Sequence, residues 1–166
     1  MRTRQRCAVL ITLALGLGHW VSAAAQTTLY AEAGFGYTAV LDGGSGNREG
    51  NRNWQGMVGL ESGDPVGARL EVAETMSRLW LSADLTYRLT PRDRPLRPYA
   101  VLGGGLVLDM SDVDPLLTLG AGLRVQLSRA IFLFTEARVQ WVPSMPATSG
   151  EAQLILPLTA GLGVGY

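Results

Sequence analysis

The stretch Leu154-Ile155-Leu156-Pro157-Leu158-Thr159-Ala160-Gly161-Leu162-Gly163-Val164-Gly165-Tyr166 decides how the rest of the chain is read. Its even positions, Leu154, Leu156, Leu158, Ala160, Leu162, Val164 and Tyr166, form an unbroken apolar face, whereas Pro157, Thr159, Gly161, Gly163 and Gly165 are small or polar. Successive side chains of a strand leave opposite faces, so a period of two predicts a strand between two different environments. Soluble domains usually fray into water at their termini. A strand that ends on an outward aromatic suits instead the closing strand of a barrel in a lipid bilayer, with the ring at the interface.

Working outward, seven further segments alternate in the same way. Thr28 to Val40 sets Leu29, Ala31, Ala33, Phe35, Tyr37 and Ala39 against Tyr30, Glu32, Gly34, Gly36 and Thr38. The next are Asn53 to Glu61 and Val66 to Glu74, then residues 78 to 89, where Leu79, Leu81, Ala83, Leu85, Tyr87 and Leu89 alternate without error with polar neighbours and Trp80. Tyr99 to Leu108 follows; Gly103-Gly104-Gly105 blurs its alternation and leaves its faces unassigned. Residues 117 to 127 and Ile131 to Trp141 complete the set. Turn chemistry separates them: a Gly-rich loop at 41 to 52, Ser62-Gly63-Asp64-Pro65, a link at 75 to 77, a Pro- and Arg-rich connection at 90 to 98, an acidic loop at 109 to 115, Ser128-Arg129, and 142 to 150.

Met1-Arg2-Thr3-Arg4-Gln5-Arg6, the apolar run from Cys7 to Leu17, and Val21-Ser22-Ala23-Ala24-Ala25 give the basic, apolar, small-residue order of a secretory signal peptide. Residues 1–25 are therefore expected to be cleaved, with Ala23 and Ala25 at the cleavage site, leaving residues 26–166 as one barrel domain. The apolar run is shorter than the roughly 18 to 20 residues of a membrane helix. The single Cys (Cys7) and single His (His19) leave with this segment, and with them go disulfides, thiolate nucleophiles, thiolate or imidazole metal sites and His-based acid-base chemistry. All 14 basic residues are Arg; three lie in the leader, so eleven remain against 14 acids, a net charge of −3 that argues against nucleic acid as a partner.

Strands of about ten residues match a tilted crossing of the hydrocarbon layer, and an even number lets an antiparallel sheet close with both ends on one side. The predicted fold is all-β: an eight-stranded antiparallel up-and-down transmembrane β-barrel. Closure matters because lipid offers no partner to a free backbone N–H or C=O. With the first strand entering from the periplasm, the loops at 41 to 52, 75 to 77, 109 to 115 and 142 to 150 face outward, and the turns at 62 to 65, 90 to 98 and 128 to 129 face the periplasm. Periodicity alone does not say which face is inside. The aromatic end, the small residues of the polar face and the repeated alternation favour the membrane arrangement over a soluble, lipocalin-like periplasmic barrel with an apolar ligand inside.

If the polar face is the lumen, it gathers Glu32, Glu61, Glu71, Asp84 and Glu136 with Arg69, Arg88, Arg124 and Arg138. Buried charges must be paired, and eight strands enclose a space that side chains fill. A salt-bridged core is the first expectation for these nine residues; a narrow gated pore that opens by switching pairs such as Glu136 or Glu71 with Arg138 or Arg69 is the sharper one. Paired carboxylates also suit a hydrolase, but each acid has an Arg in plausible reach, so no enzyme and no cofactor are expected. Asp109, Asp112 and Asp114 do not match the EF-hand spacing and read as a solvated loop. Trp54, Trp141, Tyr37, Tyr87, Tyr99 and Tyr166 read as an interfacial girdle, with Trp80 the exception.

Thr159, Gly161, Val164 and Tyr166 resemble the C-terminal insertion signal of bacterial outer-membrane barrels: a polar residue, a Gly, an apolar residue and a terminal aromatic, where Phe is the usual last residue. Arg97-Pro98-Tyr99 leading into the Gly triplet, and Glu136-Ala137-Arg138, are similar to the fifth and penultimate strands of the small eight-stranded barrels, the OmpA transmembrane domain and OmpX among them. The resemblance covers residues 26–166. It implies a monomeric outer-membrane protein that meets lipid and, during insertion, the barrel-assembly machinery, with a structural or surface-interaction role. The surface partner is not implied, and no periplasmic peptidoglycan-binding domain is expected beyond the barrel.

Overall fold

The computed structural model describes residues 27–42, 51–62, 65–109, 112–143 and 152–165. Eight strands run in chain order: β1 (Thr28–Asp42), β2 (Asn51–Glu61), β3 (Val66–Thr75), β4 (Arg78–Arg88), β5 (Leu96–Leu108), β6 (Val113–Gln126), β7 (Ile131–Val142) and β8 (Gln153–Gly165). Each pairs antiparallel with its neighbour, and β8 returns to β1 to close the barrel. Tyr30 lies opposite Gly165 at that seam, and a bulge between Val40 and Asp42 ends its regular register. Ala23, Ala25 and Tyr166 lie outside the described residues.

The burial pattern decides the faces. In β7 it alternates strictly, with Phe132, Phe134, Glu136, Arg138, Gln140 and Val142 buried and Ile131, Leu133, Val139 and Trp141 exposed. The same alternation holds around the barrel: most charges point in, and a wall of Leu, Val, Phe35, Tyr37, Trp54, Tyr87 and Trp141 points out. Leu102 and Leu119, at the middle of β5 and β6, are 61% and 63% exposed. The inside-out alternative, an apolar interior for a greasy ligand, is not the arrangement adopted. On β5, whose faces the sequence leaves open, Tyr99, Val101 and Val107 point inward and Leu102 and Leu106 outward.

Two stretches that read as connections are strand. Leu96–Pro98 opens β5, and Val113–Pro115 opens β6. Proline withholds only its own N–H, and the Pro98 carbonyl still accepts from Leu89 N at 2.9 Å. Asp114 thereby leaves the predicted solvated loop and is buried inside the barrel.

Closing eight strands demands sharp curvature, and glycine supplies it at two seams on opposite sides of the ring. A Cβ at Gly36 would overlap the Leu158 carbonyl oxygen at the β1–β8 seam, and one at Gly105 would overlap that of Leu81 at the β4–β5 seam. Without side chains at these places the backbones approach closely and the sheet can bend.

The β3–β4 link is two residues, Met76 and Ser77, with φ of 56° and 59° between paired Thr75 and Arg78. Positive φ at both central positions is the type I′ hairpin, whose preferred sequence is Asn-Gly. A left-handed conformation costs other residues about 1–2 kcal/mol each. Replacing Met76-Ser77 by Asn-Gly is expected to stabilise the barrel by about 1 kcal/mol or more, read as a higher denaturant midpoint at unchanged slope.

Candidate functional site: the barrel interior

The chain enters β1 and leaves β8 at one end, here the proximal end, shared by the β2–β3, β4–β5 and β6–β7 turns; the other end is distal. Of the nine charged residues expected in the interior, Glu32, Arg69, Glu71, Asp84, Arg124, Glu136 and Arg138 are buried there, and Glu61 and Arg88 stand part-buried at its proximal mouth.

Arg69 is the hub. Its Nη1 and Nη2 donate to the two carboxylate oxygens of Glu136 at 2.7 and 2.9 Å, and its Nε donates to Asp84 at 3.1 Å. Glu32 lies 3.9 Å away. This planar fork against a carboxylate is the strongest geometry available to an ion pair. Tyr99 donates its hydroxyl to Glu136 at 2.7 Å. Arg138 reaches Glu71 and Glu136 and lies 3.6 Å from Asp84. Arg124 donates from Nε to Glu32 at 2.7 Å and also reaches Glu61, which in turn pairs with Arg88 at 3.5 Å. Every one of the five acids therefore contacts at least one guanidinium, and the hub side chains of Arg69, Glu32 and Asp84 have no exposed surface.

Two uncharged layers flank these pairs. Towards the distal end, Ala73, Trp80, Val107, Leu116, Val142 and Ile155 form a buried cluster against which Val40 packs. Val142 and Ile155 are 0% exposed, so no water-sized path touches them. The Trp80 indole N–H, the inward exception among the tryptophans, donates to the Thr75 carbonyl at 3.1 Å. Towards the proximal end, the Arg124 guanidinium lies 4.3 Å from the Tyr30 ring centre, 4.9 Å from that of Tyr99 and 5.2 Å from that of Phe132. Cations are attracted to aromatic faces, more so out of water.

The sequence reading missed this aromatic cage, and it placed Tyr99 in the outer girdle. Tyr99 is instead 3% exposed and inward. The signal was cross-strand: Tyr30 faces Gly59, Tyr99 faces Gly122 and Phe132 faces Gly163. A Cβ at any of the three glycines would collide with the ring opposite, so each aromatic lies flat over a residue that has no side chain. Trp54, Trp141, Tyr37 and Tyr87 do face outward. Of the acidic loop, Asp109 pairs with Arg78 at 3.2 Å, and among the described residues no group of three His, Cys, Asp or Glu is arranged to hold a metal ion. Thr159 is buried and donates to Gln55 at 3.2 Å, Gly161 leaves room for Phe134, and Val164 faces outward.

No family model matches the chain, and no curated protein sequence does. Solved structures it is similar to include small outer-membrane barrels. Neisserial surface protein A superposes with a TM-score of 0.63 at 12% identity, over 83% of this chain and 96% of its own. The N-terminal β-barrel domain of Pseudomonas aeruginosa OprF gives 0.56 at 18%, over 85% and 100%. Ail, the attachment invasion locus protein of Yersinia pestis, solved with the heparin analogue sucrose octasulfate, gives 0.56 at 13%, over 86% and 100%. At these identities the likeness is one of fold.

Proposed function

We propose that the protein spans the bacterial outer membrane as a closed, non-conducting barrel, exported by a cleaved leader, and serves as a rigid platform for structural or surface contacts made at its distal end. The observation that carries this reading is the outer wall. Among the described outward positions of the strands only Arg52 and Glu74 bear charge, and both sit at distal strand ends. An apolar band bounded by Trp54 and Trp141 on one side and Tyr87 on the other is what hydrocarbon accepts and water does not. The distal loops are then the outer ones, and the proximal turns face the periplasm.

The interior supports a sealed barrel over a pore. Its ion pairs connect six of the eight strands, and the distal cluster from Ala73 to Ile155 lies across the lumen beyond them. The carboxylates serve as partners for arginine rather than as free acids or bases, which supports a role without catalysis. The names of two similar structures, a surface protein and an attachment protein, agree with a surface role. In planar bilayers the refolded protein is expected to give no unitary conductance, and replacing Val142 and Ile155 by serine is expected to leave it silent while the charged layer stays intact. Regular channel openings from the unaltered chain would overturn the sealed reading.

A further inference from the structure

The described residues of the proximal rim carry an excess of positive charge. Arg88, Arg92, Arg94, Arg97 and Arg129 stand there against the acids Glu61 and Asp93; Asp64 lies outside the described residues. The charges acting most strongly on the Arg97 guanidinium are Glu61 and three further arginines, Arg92, Arg88 and Arg124. Like charges gathered at one rim repel one another and favour an anion among them.

The β4–β5 turn that presents Arg92 and Arg94 is held in shape. Arg94 N donates to the Pro91 carbonyl at 3.3 Å, Arg97 Nε to the Arg94 carbonyl at 3.0 Å, and Gln126 N to the Pro95 carbonyl at 2.9 Å. Arg92 reaches the Thr28 hydroxyl, which ties the turn across to the start of β1. Beside the arginines, Leu89, Leu96 and Leu127 are 60%, 53% and 57% exposed. Leucine on the wall next to arginine on the rim sets the guanidiniums at the boundary between acyl chains and headgroups, where long cationic side chains keep their stems in hydrocarbon and their heads in water. Among the described exposed and part-buried residues the distal rim has the opposite balance, with Glu74, Asp109 and Asp112 against Arg52 and Arg78.

We infer that the proximal rim is a collar that selects anionic phospholipid headgroups of the inner leaflet, binding their phosphates through the exposed turn residues Arg94 and Arg129, and so fixes the depth and orientation of the barrel. This rests on the membrane reading above. The apolar neighbours favour a lipid over a soluble anion, because a free phosphate has no use for Leu89 or Leu127. The geometry also explains why the acids are gathered at the other end: an anionic surface is attractive to one rim only.

The test is spin-label resonance of the full mature chain in phosphatidylcholine vesicles containing trace labelled phosphatidylglycerol or labelled phosphatidylcholine. Motionally restricted lipid of either kind reports insertion, and the ratio of the two reports selectivity. The expected result at low salt is a preference of about fivefold for phosphatidylglycerol, the equivalent of about one basic residue acting at the surface. Raising salt to roughly 0.5 M should bring the ratio near one, and so should Arg94→Gln/Arg129→Gln, which alters only exposed turn residues. Restricted lipid with no headgroup preference, or a preference that survives both salt and substitution, would overturn the collar while leaving the membrane reading intact. Absence of restricted lipid of either kind would overturn both.

Discussion

Replacing Arg69 by methionine is expected to destabilise the folded barrel by about 3–5 kcal/mol, the usual consequence of removing one partner from a buried ion pair. Methionine fills much of the same volume, so the loss isolates charge from packing. Without Arg69, Glu136 loses both bonds of its fork and Asp84 loses its 3.1 Å donor. Arg138 already serves Glu71 and cannot replace both. Arg69→Met combined with Glu136→Gln removes the charges together, and most of the loss should return, because replacing a whole buried pair is often near neutral. Urea unfolding in vesicles, followed through the outward Trp54 and Trp141, measures both. A single-variant loss within about 0.5 kcal/mol, the range of an ordinary surface change, would mean that the interior is wet and the pairs are screened.

What the sequence made legible was what alternation controls. Seven of the eight strands carry a continuous apolar face, so the residues sharing each face could be named from spacing, and the aromatic end and the small residues of the polar face pointed to which one is inside. The fifth could not, because Gly103, Gly104 and Gly105 have no side chain to place and its inward residues Val101 and Val107 are as apolar as its outward ones. Strand ends were obscured by Pro98 and Pro115, which read as turn residues although each is paired in a ladder, with Leu123 and Leu106 respectively. The identity of the interior charges was legible except for Asp114, and their partners were not. Arg69 and Glu136 are 67 residues apart, and Arg124 and Glu32 are 92 apart. Such distances are bridged by the stagger of a closed sheet, which no local pattern encodes. The cage around Arg124 was hidden for the same reason, since a tyrosine opposite a glycine is visible only once the register is known.

The interior and the outer wall depend on each other. Charges can be buried at the centre because each has a partner there, and the wall can be left apolar because closure satisfies the backbone of every strand. The wall is therefore where the membrane reading is most exposed to refutation. Leu102 sits at the middle of β5, 61% exposed, and Leu96 begins the same strand at the proximal rim, 53% exposed. Similar exposure on one strand makes them a matched pair that differs in depth.

The measurement that tests the account most directly is the unfolding free energy, in phospholipid vesicles, of Leu102→Arg beside Leu96→Arg. The account predicts a loss of about 2–4 kcal/mol at Leu102, where arginine meets the centre of the hydrocarbon, and about 0–1 kcal/mol at Leu96, where it meets headgroups. Equal effects at the two positions, both within about 0.5 kcal/mol of the unaltered chain as on a water-facing surface, would contradict it.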